Sequence, residues 1–233
     1  MAKTIFTIGR NTKIQVCPSH TCDYVLPVDV TFTVATGGAI VGATSIPITA
    51  APNLTTIVAP VWLLFTNPTT GAEVSVKVTA DIDPGDTSLT VTALKKAVPV
   101  GATSEYPVRL SARSSANLST QMENAEIENL DNDGWKEFIQ TANGYNLDLQ
   151  GSFLPLDPGY QTCLYAILNY ESVYCKLTLP KPVCPNDTSY THGGIWEGYW
   201  MPSEMPIEAG AKAVITGNIT LMSQKEIVYT PAA

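Results

Sequence analysis

Charged residues are scarce in this chain. Asp, Glu, Lys and Arg make up 15% of its 233 residues, against roughly 25% in ordinary soluble domains. A surface poor in charge must be built largely from Thr, Ser, Asn, Ala and Val. Such a surface is better suited to burial between subunits than to isolation in water. The simpler alternative is a weakly charged β-protein that works alone. The composition therefore favours an assembly subunit without requiring one.

Basic residues are scarcer than acidic residues. The chain has 13 Lys and Arg against 21 Asp and Glu, which gives a formal net charge of −8. The basic residues are scattered, and Lys95 and Lys96 are the only adjacent pair. Tight binding to nucleic acid needs clustered Lys and Arg to displace counterions. Specific binding of duplex DNA is therefore disfavoured, whereas a surface past which DNA moves without adhering is compatible with this charge.

Long apolar runs and export signals are also missing. The longest apolar run, 57–65, contains Pro60 and is far shorter than the ~20 residues that span a bilayer. The first residues lack the apolar core of a signal peptide. We therefore expect synthesis in a cytosol, no export and no membrane insertion. The five cysteines are odd in number and irregularly spaced, which predicts buried apolar side chains and not a disulfide framework.

Patterns that carry catalysis or bind metals are incomplete. The only histidines are His20 and His192, and no Gly-x-Ser-x-Gly nucleophile motif is present. The segment 17–22 offers two Cys and one His but lacks the fourth ligand of a structural zinc site. The segment 129–134 is similar to a calcium loop, yet Gln140 stands where the closing carboxylate should be. We therefore predict a protein that is not an enzyme and has no catalytic, cofactor or metal site.

Alternation of apolar and polar residues with a period of two is the strongest signal for secondary structure. It occurs in 28–34, 73–80 and 212–221. Such segments form strands with one buried face. With 16 Gly and 17 Pro available for turns, the chain is predicted to be mainly β. The aromatic segment 196–200 alternates in the same way, which predicts a strand whose aromatic side chains are buried or lie at an interface.

An internal repeat marks one part of the chain. Residues 42–50 (GATSIPITA) match residues 85–93 (GDTSLTVTA), and each copy is followed by an Ile/Val-rich piece with Pro. Two strand-turn-strand copies can pack against each other but are too few for a solenoid. We predict that 36–107 is a small inserted all-β domain, and that 1–35 and 108–233 together form a discontinuous main domain.

One amphipathic helix is predicted to begin after Asp157. This residue is a favourable N-cap, and Pro158 suits the first helical position. The apolar stripe of the helix comprises Tyr160, Cys163, Leu164, Ile167 and Leu168. The helix is expected to end near 169–170, before a strand at 173–179. A second, shorter helix is predicted over 135–142.

The elements outside the repeat follow a characteristic order. They are a strand pair (4–8 and 13–16), the segment Glu126-x-Glu128…Asp133-Gly134-Trp135, a strand ending at Gly151, the helix, the strand 173–179, the segment 196–200 and a strand ending near Met222. This order resembles that of the major tail tube proteins of tailed bacteriophages. The resemblance covers roughly 1–34 and 109–233, whereas 36–107 departs from the compact family core and looks like an added outer domain.

The resemblance implies both a fold and an assembly. The fold is a tail-tube-type β-sandwich or barrel with one flanking α-helix, whose sheets join around a six-fold ring. Hexameric rings stack into a hollow tube through which DNA passes without specific binding. The implied location is the virion tail, assembled in the cytoplasm of a bacterial host. The expected partners are further copies of the chain, the tape measure, baseplate and terminator proteins, and a sheath if the tail is contractile.

Two sets of residues are candidates for contacts in such an assembly. The candidates for stacking subunits or lining the tube are Glu123, Glu126, Glu128, Asp131 and Asp133. The candidates for the ring interface are Trp196, Tyr199, Trp200, Ile215, Ile219 and Leu221. We expect the acidic segment 123–133 to be a loop that orders on stacking. We expect the strand 213–221 to join neighbouring subunits and so remove an exposed sheet edge.

Two other classes of protein fit the same sequence. One is a different virion β-protein, such as a head decoration or tail terminator subunit. The other is a carbohydrate-binding or adhesive β-module that uses the aromatic residues of 196–200. Stacked rings, binding to a capsid lattice and binding to glycans are the observations that separate these hypotheses.

Overall fold

The structure is a computed structural model that describes residues 12–20, 26–51, 55–127, 137–181, 191–209 and 215–232, with 121–127 and 137–143 described by their backbone. In these ranges the chain is mainly β, as predicted, with sixteen strands and one helix. The strands are β1 (Lys13–Ser19), β2 (Val30–Thr33), β3 (Ser45–Pro47), β4 (Val61–Thr66), β5 (Glu73–Val78), β6 (Ser88–Thr90), β7 (Thr103–Tyr106), β8 (Val108–Arg109), β9 (Arg113–Ile127), β10 (Glu137–Gly151), β11 (Ser172–Thr178), β12 (Ile195–Glu204), β13 (Ile207–Glu208), β14 (Thr216–Gly217), β15 (Ile219–Ser223) and β16 (Val228–Thr230). The helix is α1 (Pro158–Asn169). The predicted strand 4–8 lies outside the described residues.

The larger sheet is antiparallel and has eight strands. Its spatial order is β8-β1-β11-β12-β15-β10-β9, with β16 beside β12. The strands β1, β11 and β12 contribute alternate residues to two different hydrophobic clusters. Val16, Cys175 and Trp200 belong to the cluster that includes α1, and Cys17, Tyr174 and Tyr199 belong to the other. The centre of this sheet is therefore buried on both faces, which explains its nearly continuous apolar strands.

The second cluster is enclosed by a smaller sheet. This sheet has the order β2-β7-β4-β5, and the pair β3–β6 lies beside it. In the β3–β6 pair, Ile46 is opposite Leu89 and both are fully buried. These strands come from the two copies of the repeat, so the copies pair with each other through β3 and β6. The domain boundaries at 36 and 107 stay a prediction; β2, which precedes residue 36, pairs with β7 in this sheet.

Helix α1 begins and ends where the sequence predicts. The Asp157 carboxylate accepts a hydrogen bond from the Tyr160 N–H at 2.9 Å and so caps the first turn. Pro158 occupies the first helical position, where its missing N–H has no intrahelical partner to lose. Tyr170 ends the helix with a left-handed φ of 56°. The capping residue Asp157 and Pro158 were therefore sufficient to predict where α1 begins.

The buried face of α1 is rotated from the predicted apolar stripe. Tyr160 is buried, but Leu168 is 69% exposed, and Ala166 is buried instead. Gly159 allows the helix to pack closely against the backbone at Leu110, since a Cβ at position 159 would lie 2.6 Å from the Leu110 Cα. The prediction that Leu168 is buried is wrong because the pattern found large apolar residues and not the small ones that permit close packing.

Three other local predictions are wrong. Residues 137–142, predicted as helix, belong to β10, and residues 123–127, predicted as loop, belong to β9. Of the predicted strand 212–221, residues 212–214 lie outside the described residues, and the rest is not one strand, since Asn218 separates β14 from β15. The rest of the predicted loop and helix, 128–136, lies outside the described residues. Strands β9 and β10 make fourteen registered pairs, and pairing on that scale outweighs a weak local preference for helix.

Candidate assembly surface

The strands β9 and β10 form a long antiparallel hairpin at one edge of the larger sheet. Each strand has 15 residues, and at ~3.3 Å per residue the hairpin extends ~45–50 Å. On its other side, β10 pairs with β15 only at 146–149. In the described part of the chain, the distal residues 121–127 and 137–143 therefore project beyond the sheet as a two-stranded ribbon.

The root of this hairpin is held in the hydrophobic core. Ala116 and Leu118 on β9, and Leu147 and Leu149 on β10, are buried in the same cluster as Trp200. Full burial of a Leu side chain contributes about 1.5–3 kcal/mol. The position of the hairpin is therefore fixed by its proximal half.

A partly buried arginine also ties the root to its neighbours. The Arg113 guanidinium donates to the carbonyl oxygens of Ser111 at 3.1 Å, Ser152 at 2.9 Å and Gly217. Burial lowers the pKa of Arg113, and the nearby Asp157 carboxyl acts in the opposite direction. Because the three carbonyls belong to three separate segments, this side chain fixes the ends of β9, β10 and β14 relative to one another.

The outer edge of β9 has no partner strand in the described part of the chain. Thr120 on β9 lies opposite Tyr145 on β10, and the Tyr145 N–H donates to the Ser223 Oγ at 2.9 Å, on the side away from β9. Opposite residues of an antiparallel pair either exchange both hydrogen bonds or direct both groups away from each other. The N–H and C=O of Thr120 are therefore directed to the open edge.

The sequence of β9 does not guard this edge. Its 15 residues include no Pro, Gly or Lys, and the two register shifts of the hairpin lie at Ser114, in the root, and at Thr141, on the inner strand β10. Monomeric β-proteins usually protect edge strands by making them short or by placing Pro, Lys or a bulge there. The opposite edge follows that rule, since β8 has two residues. The open edge of β9 is thus the surface best suited to pairing with a strand of another molecule.

The predicted acidic candidates belong to the projecting part of the hairpin or to the segment that follows β9. Glu123 lies opposite Ala142, and Glu126 lies opposite Phe138. The residues Glu128, Asp131 and Asp133 lie outside the described residues. The structure therefore brings Glu123 and Glu126 onto one element far from the core. Their role in stacking or in lining a tube stays a prediction.

Most of the predicted ring-interface residues lie inside the chain. The buried ones are Tyr199, Trp200, Ile219 and Leu221. Strand β15 lies between β12 and β10 with both edges paired, so the expectation that this strand joins neighbouring subunits is wrong. Ile215 is 44% exposed, and the half-buried Trp196 packs against Tyr229 with 4.5 Å between ring centroids. Contact of these six residues with another subunit stays a prediction.

The segment 17–22 shows no metal chemistry where it is described. Burial raises the pKa of the Cys17 thiol to about 12, which disfavours the thiolate that metals bind. His20 contacts the Pro60 carbonyl and the Glu171 carboxylate, each at 3.2 Å. Cys22 lies outside the described residues. Across the ranges that the structure describes, no group of three or more His, Cys, Asp and Glu side chains could hold a metal.

The described residues also contain no helix with the length and apolar character needed to span a bilayer.

Comparisons with known proteins give distant likenesses. No known family matches this sequence, and no curated protein is similar to it. A chain in the tail of an empty gene transfer agent particle with C6 symmetry is 13% identical, with a TM-score of 0.41 over 52% of this chain and 84% of that one. The virion of a native gene transfer agent gives the same identity and score over 52% and 87%. The baseplate of an anti-feeding prophage gives 10% identity and a TM-score of 0.38 over 75% and 95%. Scores of this size do not establish a common fold.

Proposed function

We propose that this chain is a structural subunit of a virion tail, without enzymatic activity, and that its copies form hexameric rings that stack into a tail tube. The observation that carries the proposal is the long hairpin β9–β10, which projects beyond its sheet and has an open, unguarded edge. The order of elements, which resembles that of the tail tube proteins, supplies the geometry of the assembly.

The projecting ribbon gains most from a partner strand. An isolated two-stranded hairpin is marginally stable in water, and a third strand or a packing surface is needed to secure it. Another molecule can provide this strand through backbone hydrogen bonds along the edge of β9. Pairing of two β9 edges with each other would end at a dimer. Pairing of β9 with a different strand of the neighbour is heterologous, and it closes into a ring when the rotation between subunits allows.

The charge of the chain suits a conduit for DNA. A formal net charge of −8 gives passing DNA no gain from counterion release, so DNA does not adhere to the wall. The low charged fraction of 15% suits a surface that is largely buried between subunits. In this proposal the chain acts in the virion tail after assembly in the host cytoplasm, and its partners are the other tail proteins.

Negative-stain electron microscopy of the purified full chain tests the proposal. We expect rings with six-fold symmetry and hollow tubes built from stacked rings, with sedimentation velocity showing species far larger than 24.9 kDa. A chain that stays monomeric at high concentration and binds to capsids would favour a head decoration protein. A monomer that binds glycans would favour an adhesive module, with Trp196 and Tyr229 as the aromatic pair to substitute. Either result would refute the tail tube.

A further inference from the structure

A groove of about 700 Å³ lies where the smaller sheet meets the root of the hairpin. One wall is formed by β4, β5 and the turn 92–96, and the other by Ser111 and the segment 154–158. The volume is within the roughly 300–1,000 Å³ of sites that bind ligands or short segments. Ser111 and Leu154 flank the hairpin, which begins at Arg113 and ends at Gly151. The groove therefore belongs to the end of the hairpin opposite its projecting part.

Three lysines give this groove a positive charge within an acidic protein. Lys77, Lys95 and Lys96 line it, and the Lys77 Nζ lies 5.1 Å from the centre of the Trp62 ring. The lining carboxylates are Glu73 and Asp157. Asp157 is already engaged, since it accepts hydrogen bonds from the backbone N–H groups of Tyr160 and Ser111. The groove thus holds 3 of the chain's 13 basic residues.

Large apolar side chains lie beside these lysines. Leu156 is 71% exposed and Leu154 is 42% exposed, and both line the groove. Exposed leucines next to flexible lysine side chains favour a ligand that carries apolar and negatively charged groups in close succession. Duplex nucleic acid offers phosphates but no apolar side chains, so it would contact the lysines and leave the leucines without a partner.

We propose that this groove binds the acidic segment 121–133 of a second copy of the chain. This inference rests on the proposed self-assembly and names one contact within it. The segment QMENAEIENLDND carries 5 of the chain's 21 acidic residues and no basic residue. Its larger apolar residues are Met122, Ile127 and Leu130, and they are interspersed among the carboxylates.

The geometry of the hairpin selects a second copy over the chain's own segment. The groove lies at the root, whereas residues 121–127 continue β9 away from it, ~25–45 Å from Arg113 along the strand. Residues 121–127 therefore extend away from the chain's own groove and towards that of a neighbour displaced along the hairpin. Repetition of this root-to-tip contact produces a stack of copies.

A peptide titration tests the contact. A fluorescein-labelled peptide of residues 121–133 is titrated with the full chain, and we expect saturable binding that weakens as salt rises from 50 to 300 mM, about three-fold or more. Lys95→Glu with Lys96→Glu should weaken binding about tenfold, since each reversal replaces an attraction with a repulsion. The control, Lys181→Glu with Lys225→Glu, changes net charge equally outside the groove and should leave binding unchanged.

Two further measurements test the pairing itself. A peptide with Glu126→Lys and Glu128→Lys should bind the Lys95→Glu, Lys96→Glu variant more tightly than it binds the wild type. Leu156→Ala should weaken the wild-type peptide about three- to tenfold, because it removes apolar contact without altering charge. Far-UV circular dichroism of each variant confirms that it is folded.

Three outcomes would overturn the proposed contact. They are the absence of saturable binding, an equal loss in the Lys181, Lys225 control, and lysine-dependent binding of a duplex oligonucleotide in place of the peptide. Tubes that form normally from the Lys95→Glu, Lys96→Glu variant would also refute the contact while leaving the tail tube intact. Peptide binding by a wild-type chain that never forms tubes would support the contact and refute the tail tube.

Discussion

Replacing Thr120 by Pro should impair assembly while leaving the fold of the chain intact. The N–H of Thr120 is directed to the open edge of β9, because the opposite residue Tyr145 uses its N–H on the far side of β10. Within the described residues, Thr120→Pro therefore removes no hydrogen bond. Proline is tolerated on an edge strand in this orientation. The neighbouring Ser119 lies opposite Asn146 in a pair that exchanges both backbone bonds, so Ser119→Pro is the matched control that damages the hairpin itself.

The two substitutions should also differ in how much they change the free energy of unfolding. Thr120→Pro should change the free energy of unfolding by about 1 kcal/mol or less, since its main cost is the fixed φ. Ser119→Pro removes a ladder bond and leaves the Asn146 carbonyl without a donor, which should cost about 2–3 kcal/mol. At the interface between subunits, Thr120→Pro should have the larger effect of the two substitutions. Loss of one or two edge hydrogen bonds, at ~1–1.5 kcal/mol each, weakens each subunit contact by about 1–3 kcal/mol, or roughly five- to hundredfold.

Urea unfolding and electron microscopy of the same preparations measure both quantities. We expect Thr120→Pro to unfold at nearly the wild-type urea concentration and to form few tubes or none. A folded Thr120→Pro chain that forms tubes as readily as the wild type would refute pairing along this edge. If Thr120→Pro destabilises the chain as much as Ser119→Pro does, the assignment of the Thr120 N–H to the open edge is wrong.

The remaining predictions concern the helix, its cap and the cysteines. Gly159→Ala should destabilise the chain by about 3 kcal/mol, because the new Cβ would lie 2.6 Å from the Leu110 Cα; Gly144→Ala, whose Cβ would meet only a side-chain atom at 3.9 Å, should change stability far less in urea titrations. Burial raises the pKa of the Asp157 carboxyl above its ordinary 3.8, so the folded chain binds that proton more tightly and this group's contribution to stability falls as pH rises above about 4. Asp157→Asn, which keeps a capping oxygen, should remove that part of the pH dependence, and an unchanged slope from pH 4 to 6 would contradict the assignment. Iodoacetamide at pH 8 should label three buried thiols only after unfolding, as mass spectrometry of peptides would show; labelling of the folded chain would count against their burial. These thiols are Cys17 and Cys163, whose pKa burial raises to about 12, and Cys175, whose pKa burial also raises.

The parts of the fold that the sequence predicts are those set by local physics. Alternation places strands at 28–34, 73–80 and 196–200 because a half-buried strand needs one apolar face. Asp157 and Pro158 place the start of α1 because capping depends on adjacent residues alone. The sequence also shows that the two repeat copies are able to pack against each other, since like units that each expose an apolar face can cover one another.

The candidate site was harder to predict because edges and projection are properties of a whole sheet. The polar sequence of β9 shows little apolar alternation beyond Leu118, so its length as a strand is not visible locally. The segment 137–142 contains residues that favour a helix, and only its pairing with β9 makes it a strand. Likewise, the apolar alternation near Ile219 is that of a strand, but it does not tell whether the strand is central or at an edge. One signal was available: β9 runs for 15 residues without Pro or Gly.

The two proposed contacts run in different directions, and an assembly of stacked rings needs both. A strand added to the edge of β9 runs alongside the hairpin, so this contact repeats perpendicular to the strands, in the direction of the sheet's hydrogen bonds. Residues 121–127 run along the hairpin away from its root, and in the proposed contact the acidic segment meets a groove at the root of the next copy, so this contact repeats parallel to the strands. Edge pairing alone gives separate rings, and root-to-tip contact alone gives separate stacks. If both proposals hold, the edge variant Thr120→Pro should abolish rings, whereas the Lys95→Glu, Lys96→Glu variant should leave single rings that fail to stack. The two variants should therefore give different images from the same chain.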